Sequence, residues 1–468
     1  MDKDVGKRKM ILVILLLALA LRMVSINQSL WLDEGTSAIL ARDFSLERIL
    51  TEFSPGDFHP PLYYLFLKVW AGIFGSSEVG LRSFSLLAGL ATVYVVYLIG
   101  KRLLDRKAGL LAALFLATSG LHLYYSQEAR MYALSALFVS GLFYFFLKIL
   151  DSKKRIDWYF FSLLLFLNGL TDYLPNLVIV SFWVFALVAK KDKGWWRNFL
   201  LSHIPLVAAY LWWLPTFTNQ LRSGLGVFES APGWWKVLGR TNLKELLLVP
   251  VKFALGRISF VDKGLYALVS GTVLLTYSFL VMKAKNIKEG RLRLIWLWLI
   301  VPIALAAILG LKLSVFSYFR LIFAIPAFFL LIVFGILQLR GRLFKASVLF
   351  VLCVNLLASG AYLFNARFHR EDWRGLVSLV EKASRDKNAI TIFVTDGQTE
   401  AYRYYSKGGK IAGPEGLSAS YEQLWLMRYV QEIFDPEDKL RKETERLGFV
   451  KKGEYDFNGV VVWEYERE

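Results

Sequence analysis

Two adjacent carboxylates, Asp33 and Glu34, lie in Ser29-Leu30-Trp31-Leu32-Asp33-Glu34-Gly35, just past a hydrocarbon-length apolar run. An acidic pair needs water or a partner, so it marks the wet edge of a membrane helix. Further polar groups recur at the ends of apolar runs. They are His59 in Phe58-His59-Pro60-Pro61-Leu62-Tyr63-Tyr64, then Gln127, Glu128, Arg130 and Tyr132, and later Asp172, Lys312 and Arg320. Polar groups gathered this way in a membrane protein mark a cavity or a substrate path. No Walker motif and no His/Cys metal cluster accompanies them. An energy-rich substrate must therefore arrive already activated, and a lipid-linked sugar phosphate fits, with its tail in the bilayer and its head at the surface.

The elements that must hold these residues are membrane helices. The chain has 468 residues, 56% of them apolar, and a mean hydropathy of +0.45, well above a soluble domain. The net charge of +18 is unevenly spread. Residues 366–468 hold 17 Lys+Arg against 19 Asp+Glu, a net of −2, so the first 365 carry +20. That excess sits in short loops between apolar runs, which is the positive-inside pattern of a polytopic membrane protein rather than a nucleic-acid footprint. The lone Cys353 excludes an intrachain disulfide.

Lys3, Lys7, Arg8 and Lys9 keep the N-terminus cytoplasmic. The first helix, 10–26, exits into a long extracytoplasmic loop, 27–81, which holds the acidic pair and an amphipathic stretch at 36–49. The segment after His59 is apolar but interrupted by Lys68. The basic clusters at 101–107, 148–155, 190–197, 283–293 and 340–345 all fall on the cytoplasmic side only if that segment lies along the outer interface. Ten more helices follow at 82–100, 107–123, 131–148, 157–171, 174–189, 198–214, 264–282, 293–311, 321–339 and 345–365. Trp234-Trp235 and an apolar piece at 246–255 occupy the loop between 214 and 264. The fold class is mainly α, with about eleven transmembrane helices in residues 1–365 and a small extracytoplasmic α/β domain in 366–468. In that domain Asp372-Trp373-Arg374 opens an amphipathic helix, 389–394 reads as a strand, 399–405 as a helix and 460–463 as a late strand.

The acidic pair, the His59-Pro60-Pro61-Leu62-Tyr63-Tyr64 stretch and Tyr125-Ser126-Gln127-Glu128-Ala129-Arg130-Met131-Tyr132 together resemble the type C membrane glycosyltransferases. The resemblance is closest to the branch of protein O-mannosyltransferases and the lipid A aminoarabinose transferase. Arg320 ahead of Pro326-Ala327 and the Asp372-Trp373-Arg374 opening extend it over essentially the whole chain. It implies an inverting transfer of sugar from a polyprenyl-phosphate donor to a lipid, glycan or protein acceptor at the extracytoplasmic face of the plasma membrane. By the same resemblance Asp33 is the general base. Glu34 and Glu128 orient the acceptor or bind a cation. Arg130 and Arg320, with Lys312 behind them, hold the donor phosphate, and His59, Tyr63, Gln127 and Tyr132 line the sugar. No cofactor is fixed. Metal dependence varies across the wider class, so a divalent metal stays open, and no ligand set stands out.

Two departures from the family pattern matter. Leu321 stands where some relatives have a tyrosine after the arginine, and no loop has room for the large extra domain common in protein-modifying members. The bland alternatives are an Asp33 that only caps a helix and arginines that only anchor to lipid headgroups. The competing class is a transporter or flippase of lipid-linked saccharides. That class calls for inverted repeats and polar groups at the midplane, whereas the ionisable residues here sit at helix ends.

Overall fold

A computed structural model describes residues 2–230, 239–284 and 290–468. Each of the eleven apolar runs is helical: α1 (Asp2–Met23), then, past the short α2 (Leu32–Asp43) and α3 (Leu62–Phe74), α4 (Glu78–Leu103), α5 (Arg106–Thr118) with α6 (Gly120–Ser126), α7 (Tyr132–Ile149), α8 (Arg155–Gly169), α9 (Val178–Val188) and α10 (Lys193–Ser230). After α11 (Leu243–Leu255) come α12 (Lys263–Ala284), α13 (Leu292–Leu309), α14 (Ile325–Ile336) and α15 (Gly341–Phe364). The chain is a multi-pass membrane protein. The expected count of about eleven spans is larger than helix length supports. Among the described residues seven helices are long and apolar enough to cross a bilayer, or eight if the bent pair α5–α6 is one span. At 1.5 Å per residue, the 15-residue α8 rises only about 22 Å, short of a ~30 Å hydrocarbon core. The run at 174–188 is split into a 3₁₀ turn and α9, and α1 carries several charges at its start. Trp234-Trp235, Lys285 and Lys288 lie outside the described residues.

Local chemistry sets the ends of these helices. Ser77 Oγ accepts the Gly80 N–H at the start of α4, and Lys101 and Arg102 fall in its last turn, where cations suit the helix dipole. Asp105 caps α5 through the Ala108 N–H at 2.8 Å. Helices α4 and α5 pack through glycines: a Cβ on Gly100 would lie 2.8 Å from Gly109 Cα. Such small residues let membrane helices approach closely. The run expected as one helix at 107–123 breaks by 65° between α5 and α6, where Ser119 takes an extended conformation and caps α6. The break aims Tyr124–Ser126 and the following turn at the end of the bundle that holds Asp33.

The C-terminal region forms a five-stranded sheet. Its strands are β1 (Ala389–Ile392), β2 (Ile411–Ala412), β3 (Gln423–Met427), β4 (Phe449–Phe457) and β5 (Val460–Arg467), in the order β2-β1-β3-β5-β4. β1 runs parallel to β2 and β3, and β5 pairs antiparallel with β3 and β4. Helices α16 (Trp373–Ala383) and α17 (Glu400–Tyr405) cover one face with Trp373, Leu376 and Tyr402 against Trp425 and Val462. Helix α18 (Lys439–Arg446) covers the other with Leu440 against Leu424 and Tyr465. Burial on both faces explains why β3, Gln-Leu-Trp-Leu-Met, is buried at every position.

This region is fastened to the loop after α1. A Cβ on Gly35 would lie 2.5 Å from Ala401 Cα, so α2 and α17 touch backbone to backbone. Tyr405 Oη accepts the Leu30 N–H at 2.8 Å and donates to Glu78 at 2.8 Å. Arg374 donates to the Asn27 carbonyl at 2.7 Å and pairs with Glu78 at 2.8 Å.

Candidate active site

The two neighbouring carboxylates have opposite surroundings, because consecutive residues on a helix point about 100° apart. Glu34 points inward and is fully buried. Arg82, near the start of α4, grips it with Nε–Oε1 at 2.8 Å and Nη2–Oε2 at 2.5 Å. The Ala129 N–H donates to Oε1 at 2.7 Å, and Arg370 Nε lies 3.7 Å from Oε2. The remaining Arg82 protons go to the carbonyls of Ile26, Gln28 and Ser29. Glu34 thus joins four segments distant in sequence. Burial acts to raise its carboxyl, but the Arg82 and Arg370 charges and the Arg82 and Ala129 hydrogen bonds outweigh that and hold it below the ordinary carboxylate range.

Asp33 points the other way, its side chain 38% exposed and its Oδ2 3.5 Å from Arg130 Nη2. Arg130 also donates to Tyr64 Oη at 3.1 Å. Beyond them, Asp57 and His59 stand 3.4 Å apart. Asp172 lies in the field of His59 and Arg320, and burial raises its carboxyl. Tyr132 packs edge-on between Tyr125 and Phe319, at 5.1 and 5.8 Å. Arg320 donates to the Ser314 carbonyl at 3.0 Å and has no carboxylate partner among the described residues.

A second cationic group forms around Tyr124. The Arg370 and Arg257 guanidiniums lie 4.2 and 4.6 Å from its ring centre. Both donate to its hydroxyl, at 3.0 and 2.5 Å. Arg370 is buried and pairs with Glu128 at 2.9 Å. Burial raises the Glu128 carboxyl and the nearby Glu34 adds to that, against the pull of Arg370. Arg257 is exposed, with no carboxylate partner among the described residues. Glu371 and Tyr429 of the C-terminal region both lie in the field of the Asp33 carboxylate. Glu371 accepts from Trp373 Nε1 at 2.8 Å and from Tyr429 Oη at 2.9 Å, and the Leu32 N–H at the start of α2 also donates to it.

Of the residues marked in the sequence, the structure therefore brings Asp33, His59, Arg130, Tyr132 and Arg320 to one end of the bundle. Glu34 and Glu128 are there too, but each is buried in an ion pair. Gln127 is buried and structural in its contacts: its amide donates to the Arg22 and Val24 carbonyls at 2.8 and 2.6 Å, and Tyr362 donates to its oxygen at 2.9 Å. Tyr63 is fully buried against Tyr64 and Phe84. Lys312 is exposed in the turn after α13, and no hydrogen bond or ion pair among the described residues ties its side chain to the cluster. The sequence reading missed Arg82, Arg257, Arg370, Asp57 and Glu371. Arg82 had a signal, as an arginine at the mouth of an apolar run. Arg370 had none, since Glu34 and Glu128 lie hundreds of residues away, and Glu371 had none because its tie to α2 is the equally remote Leu32 N–H. No group of three or more His, Cys, Asp or Glu side chains placed to hold a metal occurs among the described residues.

Residues 58–218 match the family model for dolichyl-phosphate-mannose-protein mannosyltransferases. No curated protein matches the chain in sequence. Among solved structures, the chain resembles ArnT from Cupriavidus metallidurans bound to undecaprenyl phosphate, with a TM-score of 0.58 and 13% identity over 99% of this chain and 98% of that one. Apo ArnT gives 0.54 and 14%, over 97% of each chain. The oligosaccharyltransferase AglB from Archaeoglobus fulgidus, in complex with an inhibitory peptide and a dolichol-phosphate, gives 0.56 and 10%, over 98% of this chain and 74% of that one. The chain therefore has the type C membrane-glycosyltransferase fold along nearly its whole length, and its segment 58–218 carries the mannosyltransferase family's sequence pattern.

Proposed function

We propose that the chain is an inverting glycosyltransferase that moves a sugar from a polyprenyl-phosphate donor to a lipid, glycan or protein acceptor at the extracytoplasmic face. The observation that carries this is the split acidic pair: Glu34 is consumed by Arg82, while Asp33 stays accessible 3.5 Å from Arg130. Asp33 is the base. It takes the proton from the acceptor hydroxyl or amine as that atom attacks the anomeric carbon. The bond from that carbon to the phosphate oxygen breaks, and polyprenyl phosphate departs with the electron pair. Phosphate leaves as an anion without a general acid, so one base and a cationic clamp suffice. Arg130 and Arg320 suit the clamp, and Arg257 joins them because it is exposed, lacks a carboxylate partner among the described residues and is steadied by Tyr124. Glu34 is a positioning residue in this scheme. The basic loops at the opposite helix ends support a cytoplasmic N-terminus, and on this reading the site and residues 366–468 face outside.

The test uses full-length protein in nanodiscs with radiolabelled polyprenyl-phosphate sugars and candidate acceptors. Wild type transfers label, and Asp33→Asn loses about 10²–10⁴-fold in rate, the usual range for a general base, while still binding donor. Equal transfer by both proteins removes Asp33 as base. A protein that moves intact donor between leaflets without transfer is the flippase instead.

A further inference from the structure

Tyr132, at the start of α7, stands in the Asp33 cluster, and the far end of that 18-residue helix lies about 27 Å away, beside the end of α9 and the start of α13. A cavity of about 770 Å³ opens there, between the turn after α7, the end of α9 and the start of α13. Its volume falls within the roughly 300–1,000 Å³ of small-ligand sites. Two kinds of wall line it. Val184, Phe185, Val188 and Leu297 form an apolar slot, with Val188 66% exposed. Lys191, Arg291 and Arg293 stand at the mouth.

Among the lining residues the charges do not balance. Asp151 is the single lining carboxylate among the described residues, and it is already shared between Arg291 at 2.6 Å and Arg102 at 3.2 Å. Lys191 is held by the Leu150 carbonyl at 2.7 Å and stands 6.0 Å from the centre of the Trp195 ring, with no ion-pair carboxylate among the described residues. Arg293 is exposed and has no partner among the described residues. The ion pair fixes one guanidinium in place and leaves two cations facing the cavity. A small free anion would meet the cations but leave the apolar slot empty. A neutral hydrocarbon would fill the slot and leave the cations unmatched.

We infer that this cavity binds an anionic phospholipid, its phosphodiester on Lys191 and Arg293 and its acyl chain along Val184, Val188 and Leu297. Basic pockets between membrane helices recognise acidic headgroups in this way. The site is independent of the chemistry at the other end of the bundle and stands or falls without it.

The test uses full-length protein in detergent, with native mass spectrometry and thermal unfolding read in parallel. Phosphatidylglycerol, phosphatidylcholine and inorganic phosphate are each added at matched concentration. Phosphatidylglycerol remains bound and raises the unfolding midpoint, whereas the other two do neither. Arg293→Ala and Lys191→Ala each weaken its binding about tenfold, as expected for losing one charged hydrogen bond. Val188→Trp, which fills the apolar slot without touching a charge, weakens it as well. Arg340→Ala, an exposed cation at the same end but outside the cavity, leaves binding unchanged. Equal stabilisation by phosphatidylcholine or phosphate overturns the inference, as does an Arg340→Ala loss matching that of Arg293→Ala.

Discussion

Arg82 Nε lies 2.8 Å from Glu34 Oε1, and both side chains are buried almost completely. The pair ties the Asp33 helix to the first long membrane helix at the point where the polar cluster begins. Removing one partner of such a pair strands the other charge, which typically costs about 3–5 kcal/mol. Glu34→Gln therefore lowers the thermal unfolding midpoint of the nanodisc-embedded protein by many degrees. Asp33→Asn, at the more exposed neighbour, changes stability by no more than about 0.5 kcal/mol and so barely moves that midpoint. Matching midpoints for Glu34→Gln and wild type would show that Glu34 does not carry this load.

The pair also has a pH signature. The folded-state carboxyl of Glu34 is depressed, so its contribution is present above the unfolded value of about 4.3 and is lost as pH falls through the folded one. Glu371 runs the other way. Burial raises its carboxyl, so stability falls as pH rises from the unfolded value through the folded one. Glu371→Gln abolishes that decline. Unfolding midpoints of wild type and Glu371→Gln, compared between pH 4 and pH 8, should diverge at the upper end in favour of the variant. Parallel curves rule out a buried, charge-averse Glu371.

On the proposed reading, Arg257 and Arg320 grip the donor phosphate. Arg257→Ala raises the donor KM about tenfold or more, the equivalent of one charged hydrogen bond. Arg257→Lys recovers only part of this, because a lysine gives up the two-point contact. Initial rates at varied donor concentration report both. An unchanged KM in Arg257→Ala moves the clamp to Arg130 and Arg320 alone.

Gly35 is needed for contact rather than for backbone freedom, since its Cβ would meet Ala401 at 2.5 Å. Gly35→Val forces α2 and α17 apart at about 1–3 kcal/mol. Limited proteolysis then releases the C-terminal sheet region faster than in wild type. Gly72→Ala, where a Cβ meets nothing within 4 Å, serves as the control and cleaves at the wild-type rate.

Legibility in the sequence followed distance along the chain. Apolar runs announce themselves over about 20 residues, so every predicted helix is present, and the order of polar motifs was enough to identify the fold. The 65° break at Ser119-Gly120 was harder to read because the run stays apolar through it. The β4–β5 hairpin did carry a local mark. Asn458-Gly459 has positive φ at both residues, 55° and 96°, the Asn-Gly pattern of a tight hairpin turn. The site divides the same way. Asp33 and Arg130 stand in short recognisable stretches, but what separates Asp33 from Glu34 is Arg82 and Arg370, and no local pattern announces a pairing between residues so far apart.

The fastening of the C-terminal region to the loop after α1 sets an order of events during synthesis. Arg370, Glu371, Ala401 and Tyr405 are made late, yet they buttress Glu34, Leu32, Gly35 and Leu30, which emerge from the ribosome among the first. Domains otherwise tend to fold from the N-terminus as they emerge. Here the earlier-made part of the cluster waits for the later, so a nascent chain already threaded through the bilayer holds Asp33 on an unbraced helix. Only a chain extended past Tyr405 closes the ring.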